Sequence, residues 1–501
     1  MPMKDLETLL TCPRRTYKLR VYMIWSYVNG VSLVLSLNEI LKKKFRLEGF
    51  QDYQEAACLD LISGDDVVII APTGSGKSLC YQLPSIVRKG TGLVISPLIS
   101  LMNDQASKLR MLGFKAASLN SSNSHLLNWQ ILLSFSAQQL DFLFVTPERL
   151  KEKNFSEALK NASISLIAVD EAHCISMWGH DFRSEYRLIK KGLSVIHKRP
   201  PIIALSATAT QFVQQDIIQQ LDLKTPRKFT SSFWRENIAI KTLETPAEHR
   251  LDLILKLLSA PSALPAIIYA VSRKECEFWA EGLRSKVNVG IYHAGLPHVD
   301  LVKTQKSFLG GNIEVLSATA AFGMGIDTPN VRTIIHAGLP SSIEQYSQEI
   351  GRAGRDGRPA KAILLYSRKD LYFHETLIGI RYPTIKILKA FEDLLDFKPK
   401  KISEIASLLP LEPAEFERAI EILLNYGVAS HNGQYIIKTN AHEWEKTYTE
   451  RLKKKTEDVL KVYRFSETDH CRMNEISKYF DNNLQNKSCT ICDNCLNLRF
   501  N

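Results

Sequence analysis

The chain has 501 residues, of which 45% are hydrophobic, 23% charged and 9% aromatic. These proportions exclude a disordered, collagen-like or disulfide-scaffold protein, and the length allows three or four domains. Lysine and arginine total 64 against 53 aspartate and glutamate, so the net charge is +11; this excess suggests a polyanionic partner, either nucleic acid or an anionic membrane surface.

An uncharged segment near the N-terminus, residues 21–38, follows several basic residues and imitates a signal peptide or a short membrane span. Polar residues interrupt this segment, and lysines flank its other end, so the charge bias sets no orientation. The sequence therefore favours a dispensable N-terminal extension over residues 1–38. Membrane insertion is the alternative, and no membrane partner is expected.

Short apolar runs then alternate with amphipathic helical stretches, and the runs form two series. The first series is DDVVIIAPTG, GLVISPL, DFLFVTPE, ISLIAVDE and PIIALSAT, and the second is PAIIYAVS, VGIYHAG, IEVLSATA, VRTIIHAGLP and KAILLYS. Each run is typical of a buried strand, and strands alternating with helices predict a parallel sheet with helices on both faces. The sequence therefore predicts two tandem α/β domains, residues 39–230 and 231–372, with a linker over residues 225–242.

The pattern changes after residue 371. Three short helices are predicted, over residues 385–395, 402–409 and 413–426. VASHNGQYIIK predicts two strands joined at Asn432-Gly433. Three helices and a hairpin suggest a winged-helix-like module over residues 373–440, and a purely structural helix-turn-helix is the alternative. A basic amphipathic helix and a cysteine cluster form a last module, residues 441–501.

A glycine-rich loop follows the first predicted strand. APTGSGKS lies between VVII and a helix-compatible stretch, which is the strand–loop–helix context of phosphate-binding loops. Its glycines would turn backbone N–H groups toward phosphate oxygens, Lys77 would reach the outer phosphates of ATP, and Ser78 would bind Mg²⁺. The residues expected to contact the nucleotide here are Thr73, Gly74, Ser75, Gly76, Lys77 and Ser78.

Two adjacent carboxylates follow the strand ISLIAV in the sequence DEAH. Asp170 is expected to bind Mg²⁺, and Glu171 to orient and deprotonate the attacking water. His173 is expected to couple the hydrolysis site to Ser206 and Thr208, which follow the strand PIIAL. The alternative for His173 is a helix-start histidine without a role.

The second α/β domain contains QEIGRAGR, residues 348–355. Two arginines on a turn of small residues suit placement across a domain cleft, against the transferring phosphate. Arg355 is the first candidate for an arginine finger and Arg352 the second, with DNA phosphate binding as the alternative. Gln348, which begins this motif, is expected to contact the nucleotide.

Four cysteines lie close together near the end of the chain: Cys471, Cys489, Cys492 and Cys495. Cys-x2-Cys spacing lets two sulfurs meet one tetrahedral metal, and four soft ligands favour Zn²⁺ in a closed structural site. An iron–sulfur cluster or free thiols are the alternatives.

Taken together, the chain resembles the RecQ family of superfamily 2 DNA helicases over residues 45–495. The segments that carry the resemblance, in family order, are FQDYQ, APTGSGKS, SPLISLMNDQ, DEAHCISMWGHDFRSEYR, SAT, IYAVSR, YHAGL, ATAAFGMGIDTPNVR, QEIGRAGRDG and the cysteine segments CRMNEISKYF and CTICDNC. The resemblance implies two RecA-like domains and a zinc module. It also implies an ATP-dependent helicase that moves 3′ to 5′ on single-stranded DNA and unwinds duplex DNA in recombination, repair or replication. A cytoplasmic monomer, nucleoid-associated in a prokaryote, is expected.

In this family an aromatic-rich loop after the DEAH box couples single-stranded DNA to hydrolysis, and Trp178, Phe182 and Arg183 match that loop. Aromatic faces stack on bases without sequence preference, and arginine contacts phosphate. The alternative is that Trp178 and Phe182 are ordinary core residues.

The family also has a glutamine that reads adenine, and Gln54 matches it. Gln51 stands where the family usually has Arg, and Leu47 where it usually has an aromatic residue that stacks on the base. These departures predict weaker adenine selectivity and a higher KM for ATP, with hydrolysis retained.

The order of modules also departs from the family, because the winged-helix-like segment precedes the zinc cysteines and no further domain is expected after them. This order and the altered adenine site suggest one other function, a DNA-binding accessory protein that ATP switches without unwinding. A second alternative is an RNA helicase, because DEAH sequences also occur in RNA helicases.

Overall fold

The computed structural model describes residues 24–28, 31–179, 181–323, 330–441, 443–480 and 487–497. His180 of the aromatic-rich loop and residues 324–329 of the segment ATAAFGMGIDTPNVR lie outside the described residues. No helix in these described ranges is both long enough and apolar enough to cross a membrane.

The uncharged N-terminal segment forms a hairpin. β1 (Ile24–Val28) and β2 (Val31–Leu35) pair antiparallel. The short helix α1 (Leu37–Ile40) follows, and Ser36 caps it in a capping box with Glu39. Leu37 is buried in a core that includes Cys58 and Leu83, so the packed part of the first domain begins before residue 39.

A seven-stranded parallel sheet forms the first domain, in the order β5-β6-β4-β7-β8-β3-β9. Its elements are α2 (Gln54–Ser63), β3 (Val67–Ile70), α3 (Leu79–Val87), β4 (Thr91–Ile95), α4 (Ile99–Met111), β5 (Ala116–Leu119), α5 (His125–Ser136), β6 (Phe142–Val145), α6 (Lys153–Asn161), β7 (Ile164–Val169), α7 (Leu188–Leu193), β8 (Ile202–Ser206), α8 (Gln211–Gln220) and β9 (Arg227–Thr230). The predicted motifs follow β3, β7 and β8, which are neighbours in the sheet. Because the carboxyl ends of parallel strands meet at one edge, these motifs converge there.

A six-stranded parallel sheet forms the second domain, in the order β10-β15-β14-β11-β13-β12. Its elements are β10 (Ile238–Glu244), α9 (Arg250–Leu258), β11 (Ala266–Tyr269), α10 (Arg273–Leu283), β12 (Val289–Tyr292), α11 (His298–Leu309), β13 (Val315–Ala318), β14 (Thr333–His336), α12 (Ile343–Ile350) and β15 (Ala360–Tyr366). The two predicted α/β domains are therefore confirmed.

The predicted linker over residues 225–242 is wrong in extent, because it contains two strands. β9 pairs with β3 at the edge of the first sheet, and β10 pairs with β15 at the edge of the second. Residues 231–237 alone connect the domains. Most of β9 is exposed, so this strand lacks the apolar run by which buried strands are predicted.

The C-terminal third contains the predicted helices and hairpin. Its elements are α13 (Lys369–Arg381), α14 (Ile385–Leu394), β16 (Lys400–Lys401), α15 (Ile402–Leu408), α16 (Pro413–Asn425), β17 (Ala429–Asn432), β18 (Tyr435–Lys438), α17 (Trp444–Glu467), α18 (Arg472–Phe480) and α19 (Asp493–Asn497). β16, β18 and β17 form an antiparallel sheet in that order. α14, α15 and α16 enclose a separate core with it, around Leu388, Phe391 and Ile436. This arrangement agrees with a winged-helix-like module.

The long helix α17 joins two cores. Its first turns belong to the winged-helix-like module, where Trp444 donates a hydrogen bond to Glu392 (3.0 Å) and Tyr448 is buried. Its last turns place Val459 and Phe465 in the large core shared by both α/β domains. With 24 residues, α17 is about 36 Å long.

Candidate functional site

The phosphate loop connects β3 to α3 at the sheet edge. Gly74 (φ 83°) and Gly76 (φ 70°) adopt the left-handed conformation, which glycine tolerates and which turns N–H groups inward. The Lys77 Nζ donates to the carbonyls of Ala71 (2.6 Å) and Pro72 (2.9 Å). Burial lowers the pKa of Lys77, and the neighbouring acidic charges oppose that fall. The loop thus combines a half-buried cation with two left-handed glycines, as a phosphate site requires.

The acidic pair lies beside this loop, at the end of β7. Burial, with a contribution from Glu171, raises the pKa of Asp170 to about 7. Glu171 is a non-glycine residue in the left-handed region (φ 47°), a strained conformation that recurs at functional sites. Its Oε2 is buried and has no hydrogen-bond partner within the described part of the chain. A buried and a half-buried carboxylate, one with an unsatisfied oxygen, fit a site for a divalent cation and a water molecule.

The histidine of the DEAH sequence connects the acidic pair to the end of β8. His173 is fully buried, and its Nδ1 lies 3.1 Å from Ser206 Oγ and 3.4 Å from Glu171 Oε2. Burial lowers the pKa of His173 to about 4, so the ring is neutral near pH 7. Ser206 Oγ in turn accepts a hydrogen bond from Thr208 N (3.1 Å). The structure therefore brings together the three residues predicted to couple these motifs.

Both candidate arginines of the second domain point into the cleft between the domains. Arg355 passes over the phosphate loop, because its Cδ lies 3.6 Å from where a β-carbon on Gly74 would stand. Arg352 is 1% exposed. Burial raises the pKa of Glu171, and the positive charges of Lys77 and Arg352 oppose that rise. Both arginines are thus placed to act on a group bound at the phosphate loop.

Gln348 also faces this cleft. Its amide nitrogen is buried and has no hydrogen-bond partner among the described residues. It lines a small cavity with Thr73 and Thr208 of the first domain. A β-carbon on Gly351 would stand 3.3 Å from the Thr73 hydroxyl, so the two domains touch at the phosphate loop.

Two residues that were not predicted hold the arginine loop in place. Arg235 donates to the carbonyls of Ala353 and Gly354, both at 3.2 Å. Asn237 donates to the carbonyls of Gly354 and Arg358, both at 2.8 Å. Both lie in the connection between the domains, where neither periodicity nor spacing indicated a role. An arginine and an asparagine close together in a short connection are the only local signal.

The predicted adenine-reading glutamine lies on the phosphate loop. Gln54 is 3% exposed, its Oε1 accepts from Gln51 N (2.8 Å), and its Nε2 donates to Gly76 O (3.2 Å). Its nitrogen lies only 2.5 Å from the position that a β-carbon on Gly76 would take. Leu47, at the expected stacking position, is 45% exposed. Gln54 therefore supports the loop in this structure, a role that the sequence did not predict.

The aromatic-rich loop lies on the other side of the acidic pair. Trp178 is half-buried and meets Phe212 of α8 edge to face, at 5.9 Å between ring centroids. Phe182 lies between two guanidinium groups, those of Arg187 (5.4 Å) and Arg451 (4.8 Å). Phe182 is therefore outside the hydrophobic core, whereas Trp178 packs against the edge of the large core. The loop is placed to contact a ligand and also touches α17.

Arg183, the third predicted residue of this loop, is held inside the first domain. Its guanidinium pairs with Asp181 (3.2 Å) and donates to the Pro97 carbonyl (3.1 Å). Burial lowers its pKa, but the charge of Asp181 and other acidic groups gives a net rise. The residue is thus a fixed cation beneath the loop.

A cavity of about 500 Å³ separates the aromatic-rich loop, the second domain and α17. Trp178 and Phe182 line one side, and His336 and Glu349 line another. The basic side chains around it are Arg273, Arg381, Arg451, Lys454 and Lys455. A basic cavity with aromatic faces suits a single-stranded nucleic acid.

The four cysteines converge in the C-terminal module. Their sulfur atoms all lie within 4.8 Å of one another, and the sulfurs of Cys489 and Cys495 are 3.9 Å apart. Zn–S bonds of about 2.3 Å in a tetrahedron would separate the sulfurs by about 3.8 Å. Backbone N–H groups of Cys489 and Cys492 donate to the sulfurs of Cys471 (3.2 Å) and Cys489 (3.3 Å). The spacing fits one zinc ion better than a cluster of several iron atoms.

The zinc module packs on the second domain and against the cleft. Thr242 N of β10 donates to Asp493 (2.9 Å), which also pairs with Arg472 (3.0 Å). Phe480 of α18 stacks on Phe233 of the interdomain connection, with ring centroids 4.0 Å apart and planes 15° apart. α18 also lines the small cavity that contains Thr73 and Gln348. The zinc module therefore packs against the cleft next to this small cavity.

Family models match three parts of the chain. A DEAD/DEAH box helicase model matches residues 51–216, and a helicase conserved C-terminal domain model matches residues 249–357. A RecQ zinc-binding model matches residues 431–496, which confirms the expected zinc module.

Curated relatives match over different lengths. The probable ATP-dependent DNA helicase RecS of Bacillus subtilis is 34% identical over 476 residues, 92% of each chain. The putative ATP-dependent DNA helicase Q1 of Caenorhabditis briggsae is 42% identical over 352 residues, 68% of this chain and 57% of that protein. The ATP-dependent DNA helicase RecQ of Haemophilus influenzae is 42% identical over 66% of this chain and 53% of that protein. The chain thus spans little more than half the length of these last two relatives.

Solved structures with the same fold are more distant in sequence. A crystal structure of the DUF1998 helicase MrfA bound to DNA matches with a TM-score of 0.55, 17% identity, and coverage of 82% of this chain and 60% of that chain. A structure of Mss116p bound to single-stranded RNA and AMP-PNP matches with a TM-score of 0.57, 17% identity, and coverage of 80% and 88%. These matches confirm the tandem RecA-like fold.

Proposed function

Because the chain belongs to the RecQ family of ATP-dependent DNA helicases, we propose that it hydrolyses ATP to move along single-stranded DNA and to unwind duplex DNA. The observation that carries this proposal is the cleft in which Arg352 and Arg355 of one domain approach the phosphate loop and Glu171 of the other. A site assembled from two domains couples hydrolysis to opening and closing of the cleft.

In the hydrolysis reaction, Lys77 exchanges the backbone carbonyls of its own loop for the outer phosphates of ATP. Glu171 orients the attacking water and accepts its proton. Arg355, with Arg352 as the second candidate, stabilises the charge that develops on the transferring phosphate. Asp170 and Ser78 would hold Mg²⁺, which when bound neutralises charge on the outer phosphates.

DNA binding is relayed to this site through neutral His173. The strand occupies the basic cavity, with bases against Trp178 and Phe182, and movement of that loop reaches His173 and Ser206. Each closure of the cleft advances the strand, in the 3′ to 5′ direction that the family resemblance implies. The protein acts as a monomer on chromosomal DNA in recombination, repair or replication.

The proposal is tested by strand separation on a duplex with a 3′ single-stranded tail, beside a 5′-tailed duplex and an RNA duplex. The wild type should unwind the 3′-tailed DNA alone, and only with ATP. Lys77→Ala should abolish unwinding, whereas Lys160→Ala, an exposed lysine on α6, should not. ATP hydrolysis without strand separation would contradict the proposal and favour the accessory protein, and unwinding of RNA would favour an RNA helicase.

A further inference from the structure

The aromatic-rich loop belongs to the first domain, yet two of its residues are held by α17. Lys454 Nζ donates to the Trp178 carbonyl (2.8 Å), although 276 residues separate them. The Arg451 guanidinium lies 4.8 Å above the centre of the Phe182 ring. These contacts, a charge-assisted hydrogen bond and a cation–π contact, fix the loop backbone and one ring at separate points.

Lys454 is itself held in position. The carboxylate of Asp458, one turn further along α17, pairs with Lys454 and Lys461, both at 3.0 Å. Asp458 is 8% exposed, so the amine is oriented by a buried group. Lys453, in contrast, has 78% of its side chain exposed and lies 3.8 Å from Glu457. The helix therefore presents one ordered lysine to the loop and an exposed lysine to solvent.

Two overlapping turns of the loop connect this contact to the hydrolysis site. Gly179 N donates to Ser176 O (3.0 Å), and Ser176 N donates to His173 O (3.1 Å). A β-carbon on Gly179 would stand only 2.6 Å from His173 O, so the turns fit closely. A shift of Trp178 therefore moves the backbone of His173, whose ring contacts Ser206 and lies near Glu171.

We propose that Arg451 and Lys454 are positioning residues that set the aromatic-rich loop and make ATP hydrolysis respond to single-stranded DNA. This inference rests on the proposed function and assigns part of its regulation to α17. Because α17 begins in the core of the winged-helix-like module, a conformational change in that module alters the same contacts and thereby the hydrolysis site.

The test measures ATP hydrolysis with and without oligothymidylate for Arg451→Gln, Lys454→Gln and the double variant, with Lys453→Gln as the matched control on the same helix. The ratio of DNA-stimulated to DNA-free hydrolysis should fall at least fivefold in the first three variants. The concentration of DNA that gives half-maximal stimulation should change less than threefold, because Lys454 contacts the Trp178 carbonyl and Asp458, and Arg451 contacts the Phe182 ring, although both line the basic cavity. Lys454→Arg, which keeps a donor, should recover part of the ratio, and thermal unfolding checks that each variant folds.

Phe182→Leu is an independent test of the cation–π contact, because it removes the aromatic ring and keeps an apolar side chain. Combined with Arg451→Gln, it should lower the ratio no further than Phe182→Leu alone, as expected for partners in one contact. Ratios equal to that of Lys453→Gln would overturn the inference. An unchanged maximal rate with a raised half-saturating DNA concentration would also overturn it, since the two residues would then bind DNA phosphates directly. A wild type without DNA-stimulated hydrolysis would instead overturn the proposed function.

Discussion

Burial determines the chemistry of single residues beside the phosphate loop. Burial lowers the pKa of Lys77 and raises the pKa values of Asp170 and Glu171. The sequence identified these residues because their order along the chain is distinctive. The sequence did not identify Arg235 and Asn237, because they bind backbone carbonyls of a loop more than a hundred residues away. Backbone carbonyls leave no pattern in the sequence of side chains.

The buried histidine predicts a pH dependence of stability. The pKa of His173 is about 4 in the folded chain against 6.5 for an unperturbed histidine, so between these values only the unfolded state binds the proton. The stability present above pH 6.5 is lost as the pH falls toward 4, by up to about 3 kcal/mol. His173→Gln should remove this loss, measured as Tm from pH 4.5 to 7.5 without nucleotide.

Asp170 serves as the internal reference for that experiment. Its pKa is raised to about 7, so it contributes stability that is lost as the pH rises. This slope is opposite to that of His173, and it is present in both the wild type and His173→Gln. Parallel Tm profiles for the wild type and His173→Gln would show that His173 does not titrate with folding.

The residues that hold the arginine loop predict a defect in rate rather than in binding. Arg235→Gln removes donors to the carbonyls of Ala353 and Gly354 and lets the loop shift. A displacement of this kind should lower kcat for DNA-stimulated hydrolysis by about 100-fold, with KM for ATP within about threefold. Arg227→Gln, an exposed arginine on β9, is the control, and equal kcat values for the two variants would count against the prediction.

The departure at the adenine position predicts a gain on restoring an aromatic residue. Leu47→Phe should lower KM for ATP and for GTP alike, each by about fivefold, because a stacked ring is worth about 1 kcal/mol on either purine. Steady-state hydrolysis of both nucleotides by the wild type and the variant checks this. KM values for ATP and GTP that are the same in the variant and the wild type would show that Leu47 lies away from the base.

At the scale of whole elements, strands with a continuous apolar run were predictable, and three edge strands were not. Every apolar run became a strand because both faces of each sheet are covered. β5, β9 and β10 were missed, and all three lie at sheet edges. Exposure of β9 and β10 weakens the apolar pattern by which strands are predicted. The order β7-β8-β3, which brings the motifs together, also could not be predicted, since parallel strands pair through crossovers of many possible orders.

The zinc module predicts a defect beyond its own unfolding. Cys492→Ser should unfold the module, because such sites have no preformed state without the metal. It should also slow ATP hydrolysis at least fivefold, since α18 lines the cleft beside Thr73 and Gln348. Zinc content, Tm and hydrolysis rate are the measurements, with Cys276→Ser, a buried cysteine that does not belong to the cluster, as the control. Full hydrolysis by a zinc-free variant would contradict this role for α18.

Across the whole molecule, segments that are separate in sequence share one core. The largest hydrophobic cluster contains Val68 of the first domain, Ile334 of the second, Val462 of α17 and Cys492 of the zinc module. The presence of each module could be predicted from the sequence, because each module has its own motif. Their mutual packing could not, since contacts such as Lys454 with Trp178 depend on tertiary structure that no local pattern encodes.

The position of α18 beside the cleft links zinc binding to nucleotide binding. If zinc binding favours the cleft geometry that accepts a nucleotide, then thermodynamic linkage requires that a nucleotide strengthen zinc binding by the same factor. A non-hydrolysable ATP analogue should therefore slow the transfer of zinc to a chelator. Metal release, followed by a coloured chelator without any DNA, then becomes a direct measure of the closure of the cleft.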